Sequence, residues 1–275
     1  MILMQHVDNF ELRSVKRRRG DRKVEHVFLT DRGKVRQHNE DSVSIFENGS
    51  GLLAIVADGM GGHLAGDVAS QMTISVFKEM WNEAPDFKGP QEAESWLEEK
   101  VMEVNRSVFA HSRENSDCQG MGTTIVTAIV TQSFATIGHI GDSRCYILNK
   151  SGFKQITQDH SLVNELVKSG QISREDAEHH PRKNVLLRAL GTEEHVELDI
   201  QTLSIEPDDI VLLCSDGLTN KLTDSVLEEE LRKNDDLLHT AEKLVLMANE
   251  NGGEDNISLA AIKKVANYEL GEEPC

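Results

Sequence analysis

The stretch FATIGHIGDSRCYILNKSGFKQIT, residues 134–157, decides the fold class. It holds three short runs rich in β-branched and aromatic residues, 134–140, 144–148 and 153–157, which read as strands. The connections between them, 141–143 and 149–152, are far too short for the crossover that joins parallel neighbours. The reading therefore predicts antiparallel hairpins, and a doubly wound nucleotide-binding sheet is disfavoured.

Working outward, similar runs recur at 52–57, 124–130, 196–203, 210–214 and 257–265. Helical periodicity comes in pairs. Residues 67–81 space Val68, Met72, Val76 and Met80 as one stripe, and residues 92–111 do the same with Trp96, Val101, Val104 and Val108. A second pair is predicted at 224–231 and 236–249, with Leu238, Ala241, Leu244 and Leu246 as its apolar stripe. Strands in series and helices in pairs predict helices packed outside a β-sandwich. Between 159 and 191 lies a polar stretch with short helical pieces at 162–169 and 174–179, which reads as an insertion lying over something.

The chain has 275 residues, 38% hydrophobic and 28% charged, enough apolar material for a sizeable core. Its formal net charge of −18 disfavours nucleic acid or an anionic membrane as partner, and with it a nuclease or phosphodiesterase, which would need a basic groove. Residues 1–23 run against this balance, with Arg13, Lys16, Arg17, Arg18, Arg19, Arg22 and Lys23 forming a basic extension. No apolar run approaches the roughly 18 residues of a membrane span, and the first residues lack the apolar core of a secretory signal, so the cytoplasm is expected. Cys118, Cys145, Cys214 and Cys275 show no CxxC spacing, which suggests neither a zinc cage nor a disulfide framework.

The informative pattern is where aspartates sit. Asp58 follows LLAIVA, Asp142 follows ATIGHIG, Asp216 follows IVLLCS, and Asp255 directly precedes the run at 257, so each stands at a strand end. If those ends converge on one edge of a sandwich, the carboxylates repel one another unless cations neutralise them. Oxygen ligands without His-rich or Cys-rich spacing fit magnesium or manganese better than zinc. Asp58 also opens DGMGGH, whose glycines let backbone approach a ligand. This is no nucleotide loop, because Asp67 stands where a Walker motif needs lysine and Leu64 breaks a GxGxxG begun at Gly59. A thiol-based phosphatase is also excluded, since Thr124, Ser151 and Asn220, not arginine, lie six positions after the first three cysteines.

Seven segments in order, TDRGKVRQHNEDS (30–42), ADGMGGHLAG (57–66), GMGTT (120–124), GDSR (141–144), QDHSLV (158–163), SDGL (215–218) and EDNIS (254–258), resemble the motifs of the metal-dependent, type 2C serine/threonine protein phosphatases in their compact bacterial form. The resemblance implies an α+β fold, a four-layer α-β-β-α sandwich of two antiparallel sheets flanked by helix pairs. It makes 159–191 a flap within a single catalytic domain, 24–266, between the basic extension 1–23 and a tail at 267–275. It implies hydrolysis of phosphoserine and phosphothreonine in proteins by direct attack of a metal-bridging hydroxide, with two core Mn2+ or Mg2+ ions and a third, weaker one. Carried over by position, Asp58 bridges the core pair, the Gly59 carbonyl binds one ion, and Asp216 and Asp255 complete the other. Asp142 shares the third ion with Asp216, and Glu40 and Asp41 orient metal-bound waters. Arg36 matches the residue that holds substrate phosphate, and His63 the general acid. A phosphoprotein is then the substrate, a cognate Ser/Thr kinase a candidate partner, and the chain a monomer. The competing reading, a non-catalytic phosphoprotein-binding regulatory module on the same fold, predicts loss of metal ligands, yet Asp58, Asp216 and Asp255 are all present.

Overall fold

A computed structural model describes residues 11–12, 24–62, 65–233 and 236–265. The chain begins with a two-residue strand β1 (Glu11–Leu12), then β2 (Val24–Asp31), β3 (Asp41–Asn48) and β4 (Gly51–Met60), followed by two long helices, α1 (Ala65–Asn82) and α2 (Pro90–Glu114). Next come β5 (Gly122–Thr123), β6 (Ile125–Val130), β7 (Phe134–Ile140), β8 (Arg144–Asn149) and β9 (Gly152–Gln155). The insertion carries α3 (Leu162–Lys168) and α4 (Arg174–Glu178). The chain closes with β10 (Asp199–Ser204), β11 (Ile210–Cys214), a single turn α5 (Asp216–Thr219), α6 (Asp224–Arg232), α7 (Leu237–Glu250) and β12 (Ile257–Lys264).

Two antiparallel sheets result, ordered β1-β2-β12-β11-β8-β9 and β10-β7-β6-β4-β3, with β5 pairing β4 beside the second path. Strand alternation explains the continuous apolar runs. In β4, Leu53 and Ile55 face α1 and α2, whereas Leu52, Ala54 and Val56 face the other sheet. In β11, Ile210, Leu212 and Cys214 face the helices α5 to α7, and Val211 and Leu213 point between the sheets. A strand buried on both faces has no polar side to alternate, so it reads as unbroken hydrophobicity. The layers are thus helix, sheet, sheet, helix, with an apolar core at each of the three junctions. Trp81, Phe87 and Trp96 lock α1 to α2, with the two indole rings edge to face at 5.5 Å.

Three expectations need correction. First, residues 134–157 are not a continuous meander. β7 pairs with β6 and β10 in one sheet, while β8 pairs with β11 and β9 in the other. The link 141–143 is therefore a corner that carries the chain across the sandwich. Gly141 makes the corner possible, with φ at +109° and no room for a side chain, since a Cβ there would lie 2.6 Å from Thr124 Cγ2. Second, β2 and β3 are strands that no apolar run in the sequence announces. β3 is an edge strand with a half-buried face, and β2 carries Glu25 and His26 early in its span, so neither shows a clean apolar run. Third, the buried face of α1 is Ala65, Ala69, Thr73, Phe77 and Trp81, while Val68, Met72, Val76 and Met80 flank it half-buried. Small residues let the helix approach the sheet, so proximity and not hydrophobicity selects that face. In α7, likewise, Leu246 is 45% exposed and Val245 takes its place in the core.

Candidate metal centre

The strand ends do converge. Asp41, the first residue of β3, stands directly opposite Asp58 near the end of β4. Asp142 lies in the corner after β7, Asp216 follows β11, and Asp255 precedes β12. Asp58, Asp142, Asp216 and Asp255 are half-buried and Asp41 is buried, and their charges act on one another.

Loss of hydration, followed by mutual repulsion, sets their acidity. Burial and then the charges of Asp41, Asp216, Asp142 and Asp255 hold the Asp58 carboxyl well above the ordinary range. Asp41 is pushed up to about 7 by burial, against the lowering effect of its bond from Ser215, with Asp216 and Asp255 adding to the rise. Asp142 is also pushed up to about 7, by burial and then by Asp216 and Asp159. Burial, then Asp255, raises Asp216, and burial raises Glu40.

Backbone and hydroxyl donors hold these groups in place. The Asp58 amide donates to Thr124 Oγ1 at 3.0 Å, and the Asp58 carbonyl accepts from Thr124 N and Thr123 Oγ1. Thr124 Oγ1 lies 2.7 Å from Ser143 Oγ, which links Asp58 to the corner that carries Asp142. Ser215 Oγ donates to Asp41 Oδ2 at 2.7 Å and accepts from the Ser258 amide. Asn220 donates to Asp216 Oδ2 at 2.9 Å. Gly59 packs so tightly beneath the start of α1 that a Cβ there would lie 2.0 Å from Gly66 O and 2.6 Å from Glu40 O. Its amide donates to that same Glu40 carbonyl at 3.1 Å.

Arg36 is 47% exposed, and its Nη2 donates to Asp255 Oδ2 at 2.9 Å, with Glu40 at 4.0 Å. The loop that bears Arg36 and Glu40 is organised by Asn256. Its Oδ1 accepts from the Glu40 amide, and its Nδ2 donates to the carbonyls of Arg32 and His38, which uses both donors of the amide side chain. His63 lies outside the described residues.

The structure thus gathers Asp58, Asp142, Asp216, Asp255, Asp41, Glu40 and Arg36 at one edge of the sandwich, with Gly59 beside them. The supporting Ser215, Thr124, Ser143 and Asn256 were not singled out from sequence. Ser215 and Asn256 each adjoin a selected aspartate, and the signal was that a buried carboxylate requires donors.

This donor set suits a hard cation. Six carboxylates are offset by two guanidiniums, and one of these, Arg144, already makes three hydrogen bonds to Asp159. Asp41 Oδ1 is buried and has no hydrogen-bond partner. Raised pKa values, an orphaned carboxyl oxygen and oxygen-only ligands are what a site built for divalent ions displays before the ions are counted.

Comparison with known proteins agrees with this geometry. The protein phosphatase 2C family model matches residues 31–260. The serine/threonine phosphatase stp of Listeria monocytogenes is 46% identical over 238 residues, 86% of this chain and 94% of the relative. The serine/threonine phosphatase of S. agalactiae superposes with a TM-score of 0.83 at 37% identity, over 88% of this chain and all of that one. The catalytic domain of the serine/threonine phosphatase PstP, described in complex with two manganese ions, gives a TM-score of 0.78 at 33% identity, over 88% of this chain and 99% of that one.

Proposed function

The chain belongs to the protein phosphatase 2C family and is a metal-dependent serine/threonine protein phosphatase, and from that premise we propose that the aspartate cluster is its catalytic centre. Asp58 and the Gly59 carbonyl, with Asp216 and Asp255, would hold two core ions. Asp142, with Asp216, would hold a third and weaker ion. The cations are Mn2+ or Mg2+, a reading supported by the oxygen donors here and by the two manganese ions described for PstP. When bound, such ions acidify water and draw charge from phosphoryl oxygens.

The chain's own residues do the rest. Arg36, exposed and paired with Asp255, would turn its guanidinium fork to the phosphoryl oxygens of an arriving phosphoserine or phosphothreonine. Asp41 Oδ1, buried and without a hydrogen-bond donor of its own, would accept from a metal-bound water and orient it. Glu40, the preceding residue, would also orient metal-bound water. His63, by its place in the DGMGGH motif, protonates the leaving seryl or threonyl oxygen, whose alkoxide is too basic to depart unaided.

Substrates are phosphoproteins, and a cognate Ser/Thr kinase that writes the same phosphorylations is the expected partner. We read 24–266 as one catalytic domain with 159–191 as its flap, acting as a cytoplasmic monomer. Among the described residues no helix is long and apolar enough to cross a membrane.

The observation that carries the proposal is the convergence of mutually repelling carboxylates, among them Asp41 with its buried, unpartnered Oδ1. Hydrolysis of a phosphothreonine peptide tests it. Turnover should require Mn2+ or Mg2+, stop on chelation, and fall to near background in Asp58→Asn, since an amide cannot supply the bridging charge. Full activity in excess chelator, or in Asp58→Asn, would contradict it.

A further inference from the structure

Away from the aspartate cluster, His139, His160 and Asp199 bring three ligand-capable atoms within 4.8 Å of one another, and both imidazoles are buried. The rings stack with centroids 4.6 Å apart. Their hydrogen bonds argue against a cation there. The Gly141 amide donates to His160 Nδ1 at 3.2 Å, and a backbone N–H can only donate, so Nδ1 holds a lone pair and the proton of the neutral ring resides on Nε2. That Nε2 faces Asp199 Oδ2 at 3.4 Å. Asp199 is already neutralised by Arg188, whose Nη1 lies 2.9 Å from Oδ1. A metal at His160 would have to expel the Nε2 proton and compete with a guanidinium.

The same bonds show what His160 does. Its amide donates to the Gly141 carbonyl at 2.8 Å while its ring accepts from the Gly141 amide, so one residue grips both polar groups of Gly141. Gly141 immediately precedes Asp142 in the corner between the sheets, and its other side rests on Thr124. His160 also lies at the base of the insertion. Its carbonyl accepts from the Leu187 amide at 2.8 Å, and the next residue, Ser161, bridges Leu186. The departing and returning arms of the insertion therefore meet at the residue that holds the Asp142 corner.

We propose that His160 is a positioning residue that clamps the Asp142 corner to the root of the 159–191 insertion, so that the weaker ion site and the insertion are mechanically coupled. The coupling to the ion rests on the reading of Asp142 as its ligand, whereas the clamp stands on the Gly141 bonds alone. Loss of the ring leaves a buried Gly141 amide without its acceptor and releases one wall of the corner.

Three variants test this. His160→Asn offers an amide oxygen near the position of Nδ1, His160→Gln keeps a polar group toward Asp199 but none at Nδ1, and His160→Leu removes both. Hydrogen exchange of the Gly141 amide, followed by NMR in Mg2+, should be about tenfold faster in His160→Leu and His160→Gln, the scale of one lost hydrogen bond, and near wild type in His160→Asn. Calorimetric titration with Mn2+ should show the weakest site loosened about tenfold or more in the same two variants, with the tight pair unchanged. Should His160→Leu fail to fold, His160→Gln carries the test. Unchanged Gly141 exchange in His160→Gln, or equal acceleration in all three variants, overturns the clamp. If exchange accelerates as expected but Asp142→Ala leaves the weakest site intact, the clamp stands and the assignment of Asp142 falls.

Discussion

Replacing Gly59 by alanine leaves the residue's carbonyl, charge and polarity as they are and adds one methyl group. The added Cβ would fall 2.0 Å from Gly66 O and 2.6 Å from Glu40 O. Both obstacles are backbone, so neither can rotate away. Since ordinary contact is about 3.4 Å or more, the end of β4 and the start of α1 must separate by roughly 1.4 Å. The Gly59 amide bond to Glu40 O holds Gly59 against the second obstacle. Overpacking typically costs about 1–3 kcal/mol, and a rigid backbone collision belongs at the upper end, about 3 kcal/mol. Gly62→Ala is the control, because a Cβ there meets nothing within 4 Å. Urea denaturation in excess chelator measures both without ion linkage. Gly59→Ala should be destabilised by about 3 kcal/mol and should also lose Mn2+ affinity, because Asp58 and Glu40 move with the strained backbone, whereas Gly62→Ala should stay within about 0.5 kcal/mol of wild type. Indistinguishable stabilities for the two variants would refute the close packing of β4 on α1 that frames the site.

Ser215→Ala removes the donor to Asp41 Oδ2 and strands the Ser258 amide. It should cost about 1–3 kcal/mol in denaturation and weaken Mn2+ binding in calorimetry, and an unchanged Mn2+ affinity would detach Asp41 from the ions. Acidity supplies a sign. Asp41 and Asp142 have folded-state pKa values of about 7 against an unfolded 3.8, so the folded ion-free protein binds more protons between those limits. Its stability should therefore fall as pH rises from about 4 to about 7, and Mn2+ affinity should climb over the same window as those protons are displaced. Thermal melts in chelator and in Mn2+ at several pH values check this, and a chelated protein that gained stability from pH 5 to 7 would contradict it. In the helical layer, Trp81→Ala empties the aromatic contact with Phe87 and Trp96 and should cost about 3–5 kcal/mol in urea denaturation, with little change in KM.

Much of this was legible in the chain. LLAIVA and IVLLC read as strands because both of their faces are buried, and the aspartates at their ends stood out for the same reason: charge abruptly follows a fully apolar run. The corner at 141–143 was not legible, because a three-residue link serves a hairpin and a passage between sheets equally well. What distinguishes the two is the packing of Gly141 on Thr124, which sequence spacing does not report. The buried face of α1 is not legible in the sequence because Ala65, Ala69 and Thr73 carry little hydrophobic signal, although they lie on the side packed against the sheet. Ser215 and Asn256 escaped notice because their partners lie 174 and 216 residues away in sequence. Donor networks of this kind become visible only once the strands are paired.

The claim that the converged carboxylates form the ion-dependent catalytic centre is tested most directly by titrating chelator-stripped protein with Mn2+ in a calorimeter while following phosphothreonine peptide hydrolysis on the same samples. We predict that activity rises from background as two tight sites fill, and that Asp58→Asn, still folded by its melting profile, loses both the tight binding and the turnover. Tight binding of two ions by Asp58→Asn, or turnover that precedes their binding in the wild-type protein, would contradict it.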